Sequence, residues 1–179
     1  MRSVYFLLIL GAVLVTVAVV SRTGIASRND PRDRPINSAM REAIDRRNPQ
    51  YSAEEELVLA QRFGTAVRRP SGLRWVERAP GTGVATPPLG GEVLAHYEGR
   101  LLDGTPFDDS RKRGAPFTFR VGTGSVIRGW DEAFLTMRKG EKRTLIVPYW
   151  LAYGEKGRPP KIPPKATLIF EVELLGIEK

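Results

Sequence analysis

A chain of 179 residues with 41% apolar side chains and three Trp can fill one domain core and carry an extension besides. With no Cys and a single His, His96, it excludes disulfides, thiol nucleophiles and thiolate metal sites, and no cofactor or metal is expected. The net charge of +8 is spread evenly, with 11 basic and 7 acidic residues over 1–70 and 17 and 13 beyond, so it reads as a mildly basic surface and not as a nucleic-acid footprint.

Residues 1–22 stand apart. Val4 to Val20 carry no charge, and as a helix they would reach about 25 Å at roughly 1.5 Å per residue, enough for a thin bilayer. The expectation is an uncleaved membrane anchor; a cleaved secretory signal is the alternative, with Gly24-Ile25-Ala26 as the small-x-small site. Arg22, Arg28, Arg32 and Arg34 outnumber Arg2, which favours a cytoplasmic C-terminal side. The three-residue tail before the apolar run favours export, and an extracytoplasmic (in a bacterium, periplasmic) domain is the expectation.

Residues 23–37 offer almost nothing to bury and read as a flexible tether. Residues 38–70 read as a helical spacer. Ser38 can cap a short helix from Ala39 to Arg47, and Ser52-Ala53-Glu54-Glu55 is a capping box. The helix that follows places Leu57, Ala60, Gln61, Gly64 and Val67 on one stripe, beside Val58 and Phe63, for packing on the domain or on a partner.

From 71 to 179 the texture changes to strands and tight turns. Strands are expected at Leu73 to Glu77, Val93 to Leu102, Pro116 to Val121, Glu141 to Val147 and Thr167 to Leu175, with a hairpin at Asp103-Gly104. The one helical pattern of this half lies between Gly129 and Met137, closed by Lys139-Gly140. The fold class is α+β, a mostly antiparallel sheet with one short helix on a face.

The usual catalytic equipment is missing: no HExxH, no Walker loop and no GxSxG elbow. Asp108-Asp109 and Asp131-Glu132 read as solvated turn and helix-start carboxylates. Aromatic residues set close to turns, by contrast, suit an apolar pocket with a few polar tips, the usual form of a small-ligand or peptide site.

The stretches AHYEGRLLDGTPFDDS, PFTFRVGTGSVIRGWDEAF, LAYGEKG and IPPKATLIFEVELL, in this order and spacing, closely resemble the FK506-binding protein family of peptidyl-prolyl cis-trans isomerases. The resemblance runs from about Leu73 to Lys179. It implies a half-barrel of five to six antiparallel strands around one short helix, and isomerisation of X-Pro bonds in proline-containing client polypeptides. It also implies FK506-like macrolides as ligands. A proline-binding module or chaperone of the same fold with little activity is the alternative. The pocket it implies is Tyr97, Phe107, Asp108, Phe117, Val126, Ile127, Trp130, Tyr153 and Phe170. Trp130 would be the floor, the Ile127 N–H would take a substrate carbonyl, and Tyr153 and Asp108 would form a polar rim, with Arg113 paired to Asp108 and Tyr97. Gly129 would keep the site uncrowded, and Arg128 would make a surface ion pair. Ser125, Arg158, Lys161 and Pro159-Pro160 depart from the family's usual residues, all on the rim.

Overall fold

The structure is a computed structural model that describes residues 49–178. The expected anchor at 4–20, the tether at 23–37 and the helix at 39–47 lie outside the described residues. Among the described residues no helix is long and apolar enough to cross a membrane. Pro49 to Lys179 form one compact unit.

The unit opens with helix α1, Ala53–Phe63. Ser52 Oγ accepts from Glu55 N–H, and the Glu55 carboxylate accepts from Ser52 N–H, so the capping box closes at both ends. Three acidic residues fill the first turn and Arg62 the last, in accord with the helix dipole. Strands β1 (Val67–Arg68), β2 (Arg74–Ala79), β3 (Glu92–Leu101), β4 (Pro106–Asp109) and β5 (Phe117–Arg120) follow. Helix α2 spans Arg128–Phe134, and β6 (Lys142–Val147) leads into a 3₁₀ turn at Tyr149–Leu151 before β7, Leu168–Glu178.

All pairs are antiparallel, in the order β1-β2-β6-β7-β3-β4, with β5 on the same edge of β3 as β4. Seven strands form where five to six were expected, because the two-residue β1 and the four-residue β4 are too short to show periodicity. The Asp103-Gly104 turn forms as expected: Gly104 takes φ +97°, and Asp103 Oδ1 accepts from Thr105 N–H at 2.8 Å. Strand β3 alternates, turning Val93, Ala95, Tyr97 and Gly99 inward. In β6 and at the start of β7, consecutive residues are buried, which requires cover on both faces.

One face is covered by α2, whose Trp130, Ala133 and Phe134 join Leu145, Val147, Phe170 and Val172 in the main core. The helix lies close because residue 129 is glycine: a Cβ there would stand 2.5 Å from Val147 Cγ1. That corrects the expectation that Gly129 spares the pocket, since what it spares is the helix–sheet contact. The other face is covered by α1, where Leu59 closes over Ile146 and Ile169.

The expected α1 stripe is therefore wrong in phase. Leu59 is the buried residue, whereas Leu57 is 62% exposed, and Val67 lies in β1 beyond the helix end. A stripe that runs on through Gly64 to Val67 continues into a strand, where helical spacing no longer applies. The α2 pattern also overran: regular helix stops at Phe134, and Met137, fully buried, sits in the turn after it.

Candidate active site

The site is assembled from residues that the sheet and α2 bring to one end of the core. In β3, inward alternation points Tyr97 at the face of α2, where its ring meets Trp130 edge to face at 4.9 Å. Phe170 of β7 meets the same indole at 5.2 Å and 79°, and Phe117 of β5 lies 6.2 Å from it. Phe107 of β4 stands perpendicular to Phe170 at 5.6 Å. Gly99 admits this last pair, since a Cβ there would lie 2.6 Å from the Phe107 ring. Edge-to-face contacts put the positive ring edge against the negative face of the next ring, which holds each aromatic at a fixed tilt.

These rings enclose a cleft of about 480 Å³. All nine residues expected at the pocket line it: Tyr97, Phe107, Asp108, Phe117, Val126, Ile127, Trp130, Tyr153 and Phe170. Arg113, Gly124, Ser125, Arg128, Ala152 and Arg158 complete the lining. Trp130 is 4% exposed, and its Nε1–H is buried without a partner among the described residues. An unpaired buried donor costs about 1–3 kcal/mol.

The polar wall is a chain of charge-assisted contacts. Tyr97 Oη donates to Asp108 Oδ2 at 2.5 Å and accepts from Arg113 Nη2, while Arg113 Nη1 stands 3.6 Å from the same carboxylate oxygen. Burial, and then the Asp108 carboxylate, push the Tyr97 phenol well above its ordinary range, so it remains a donor at neutral pH. Asp108 Oδ1 accepts from Asp109 N–H, which fixes the other carboxylate oxygen. Of the two adjacent carboxylates, Asp108 is thus part of the wall and not a solvated turn residue.

Ile127 is the residue before α2, with extended φ −60° and ψ 144°. Its N–H has no acceptor among the described residues, as the first amides of a helix lack intrahelical partners. The loop before it is held by Asp131, whose carboxylate accepts from Gly122 N–H at 2.7 Å and Gly124 N–H at 2.8 Å. Both glycines have positive φ. Asp131 was expected to be solvated, and the structure corrects this: a helix-start carboxylate finds amides that face it in the preceding turn. Arg128, expected in a surface ion pair, makes none among the described residues.

Two comparisons of sequence and one of structure bear on this geometry. Residues 83–175 match the family profile of FKBP-type peptidyl-prolyl cis-trans isomerase. The chain is 59% identical over 90 residues to peptidyl-prolyl cis-trans isomerase FKBP2 of Mus musculus, covering 50% of this chain and 64% of that protein. It is 52% identical over 100 residues to FK506-binding protein 1A of Aspergillus fumigatus, covering 56% of this chain and 89% of that one. The chain belongs to the FKBP-type peptidyl-prolyl cis-trans isomerase family. A crystal structure of AtFKBP13 superposes on this FKBP chain with a TM-score of 0.60 at 41% identity, over 62% of this chain and 97% of the other. The matched region spans somewhat under two thirds of the mouse FKBP2.

Three residues that hold this FKBP site together carried no role in the sequence reading. Ser110, fully buried, accepts from Tyr97 N–H at 2.9 Å, donates to Tyr97 C=O at 3.1 Å and lies 3.0 Å from His96 Nδ1. It pins the β3 backbone at the pocket tyrosine. Gly99 and Asp131 are the others. A serine directly after two adjacent carboxylates is the available signal for Ser110, and two glycines a short loop ahead of an acidic helix start are the one for Asp131. Among the described residues no three His, Asp or Glu side chains gather as a metal site.

Proposed function

We propose that this chain accelerates cis-trans isomerisation of X-Pro bonds in polypeptide clients. The observation that carries the reading is the aromatic cleft floored by Trp130, with the Ile127 N–H unpaired at its edge. Rotation about a peptide bond is opposed by about 18–20 kcal/mol of amide resonance. It needs no nucleophile, which accounts for a site made of rings, two of them phenols, with one carboxylate and three arginines.

In the planar amide the carbonyl is strongly dipolar and favoured by water. A cleft walled by Tyr97, Phe107, Phe117 and Phe170 removes that water and so favours the twisted amide, whose resonance and polarity are reduced. Ring edges can receive the turned carbonyl oxygen through weak C–H contacts. With the proline ring on Trp130 and a substrate carbonyl on the Ile127 N–H, one side of the bond is fixed while the other rotates. The Tyr97–Asp108–Arg113 chain keeps the polar wall from collapsing into the cleft.

Phe107→Ala removes one wall while leaving the buried Trp130 floor. It is expected to slow isomerisation of a proline tetrapeptide about tenfold or more, the equivalent of roughly 1.4 kcal/mol in the barrier. Wild-type protein that binds the peptide without accelerating its exchange would identify a binding module instead.

The same cleft is our proposed site for FK506-like macrolides, supported by the name of the Aspergillus relative. We also propose that Val4 to Val20 tether the domain to a membrane with residues 49–178 on the extracytoplasmic side. The support is the uncharged seventeen-residue run. A periplasm-active reporter fused after Lys179 that stays silent would reverse the orientation.

A further inference from the structure

The cleft and its surroundings carry an unbalanced charge. Beside the main cleft lies a second of about 410 Å³, which shares Phe107, Asp108, Arg113, Tyr153 and Arg158 with it and adds Lys161. Together the two are lined by four cations, Arg113, Arg128, Arg158 and Lys161, and one carboxylate, Asp108. Asp108 is already engaged by Arg113 and Tyr97. The other three cations make no ion pair among the described residues, and the acid of the neighbouring loop, Glu155, is taken by Lys165 at 3.8 Å.

Two of those cations are exposed side chains on a backbone that is pinned at the mouth of the cleft. Arg158 and Ile162 close a small antiparallel bridge, with N–H···O distances of 2.8 and 3.1 Å, and buried Ile162 anchors it to the core. Gly157 permits the turn, since a Cβ there would lie 2.2 Å from Pro163 O. The Arg158 guanidinium stands 5.8 Å over the Tyr153 ring, and Lys161 Nζ is 3.4 Å from Phe107 O. Cations at the mouth of an apolar cleft raise the local concentration of anions there.

We propose that this site selects proline segments carrying an anionic side chain next to the proline, with Arg158 and Lys161 holding the anion in the second cleft. The proposal rests on the isomerase reading and names its substrate class. Tyr153 and Phe107, the residues these two cations contact, line both clefts, so a chain with its proline on Trp130 that runs from the main cleft into the second passes both cations. An adjacent carboxylate or phosphate then lies beside two unneutralised charges, and a Lys or Arg there meets repulsion.

The test compares kcat/KM for tetrapeptides with Glu and with its neutral isostere Gln before the proline, the same pair after it, and a phosphoserine–serine pair at the favoured position. At low salt the anionic peptide is expected to exceed its neutral partner by about three- to tenfold, the size of one or two exposed ion pairs. The ratio should shrink toward one near molar salt. The phosphoserine arm shows whether carboxylate or phosphate is the better anion. In the Arg158→Gln/Lys161→Gln double variant the ratio should approach one. Equal kcat/KM within every pair, insensitive to salt, overturns the proposal while leaving the isomerase reading intact. A ratio kept by the double variant overturns the assignment to these two residues. If no peptide is turned over, the isomerase reading fails, and Kd values from Trp fluorescence decide this one: equal affinities for Glu and Gln peptides overturn it, and tighter binding of Glu supports it.

Discussion

The two faces of the sheet are packed by different means. On the front, rings from β3, β5 and β7 meet Trp130 of α2 at steep angles and leave a cleft beside Ile127. On the back, an aliphatic side chain from α1, Leu59, sits on Ile146 and Ile169, with Tyr51, Phe63, Ala66 and Leu102 around it. Edge-to-face contacts hold each ring at a fixed tilt, so the front can keep a cleft between rings, whereas the back is closed by an aliphatic side chain seated on two others. The front thus holds a cavity and an indole N–H with no partner among the described residues, and the back supplies cover for the same strands.

The sharpest way to break the comparison is at Leu59, which is 1% exposed. Leu59→Ala is expected to cost about 2–5 kcal/mol in urea unfolding, with kcat/KM per folded molecule unchanged, because the deleted atoms face away from the cleft. A loss below 1 kcal/mol would show that α1 adds little to the sheet. A smaller effect, but one reaching both stability and turnover, is expected at Gly129. Gly129→Ala drives a methyl into fully buried Val147, which costs about 1–3 kcal/mol of overpacking and displaces the helix that bears Trp130. Thermal unfolding and isomerisation should therefore worsen together; a change in one alone would uncouple helix seating from the pocket.

The sequence showed the front more fully than the back. The front joins residues as far apart as Tyr97, Trp130 and Phe170, and it is legible because the four stretches that carry them resemble those of one family in order and spacing. The back depends on a contact between residues far apart in sequence, Leu59 with Ile146 and Ile169, and nothing local distinguishes Leu59 from Leu57 two residues earlier. Ser110 and Asp131 escaped for a related reason. Their side chains satisfy backbone groups, and a polar residue that pairs with backbone looks in the sequence like any solvated one. The apolar runs in β6 and β7 do point to the back cover: strands buried at consecutive positions need cover on both faces, and α2 supplies only one.

The mildest test of the same contrast is electrostatic. Arg74, 7% exposed, points to the back, forms a two-pronged pair with Glu56 of α1 and stacks on Tyr51 at 4.3 Å. The hydrogen bonds from Arg74 hold the Glu56 carboxyl below its ordinary value of 4.5. A carboxyl whose pKa is depressed by folding adds stability that is present above the unfolded value and is lost as pH falls through the folded one. The Glu56 side chain is 42% exposed, so solvent screens the pair, and its contribution is expected to be about 0.2–1 kcal/mol. Glu56→Gln should therefore be less stable than wild type by that amount at pH 7, and the gap should close as pH falls through the lowered value that Glu56 has in the folded protein. Turnover of the neutral proline peptide should match wild type throughout, since the pair lies behind the sheet. A gap that persisted at low pH would mean that α1 is held by packing at this position and not by charge, and Arg74 would then act through Tyr51 alone.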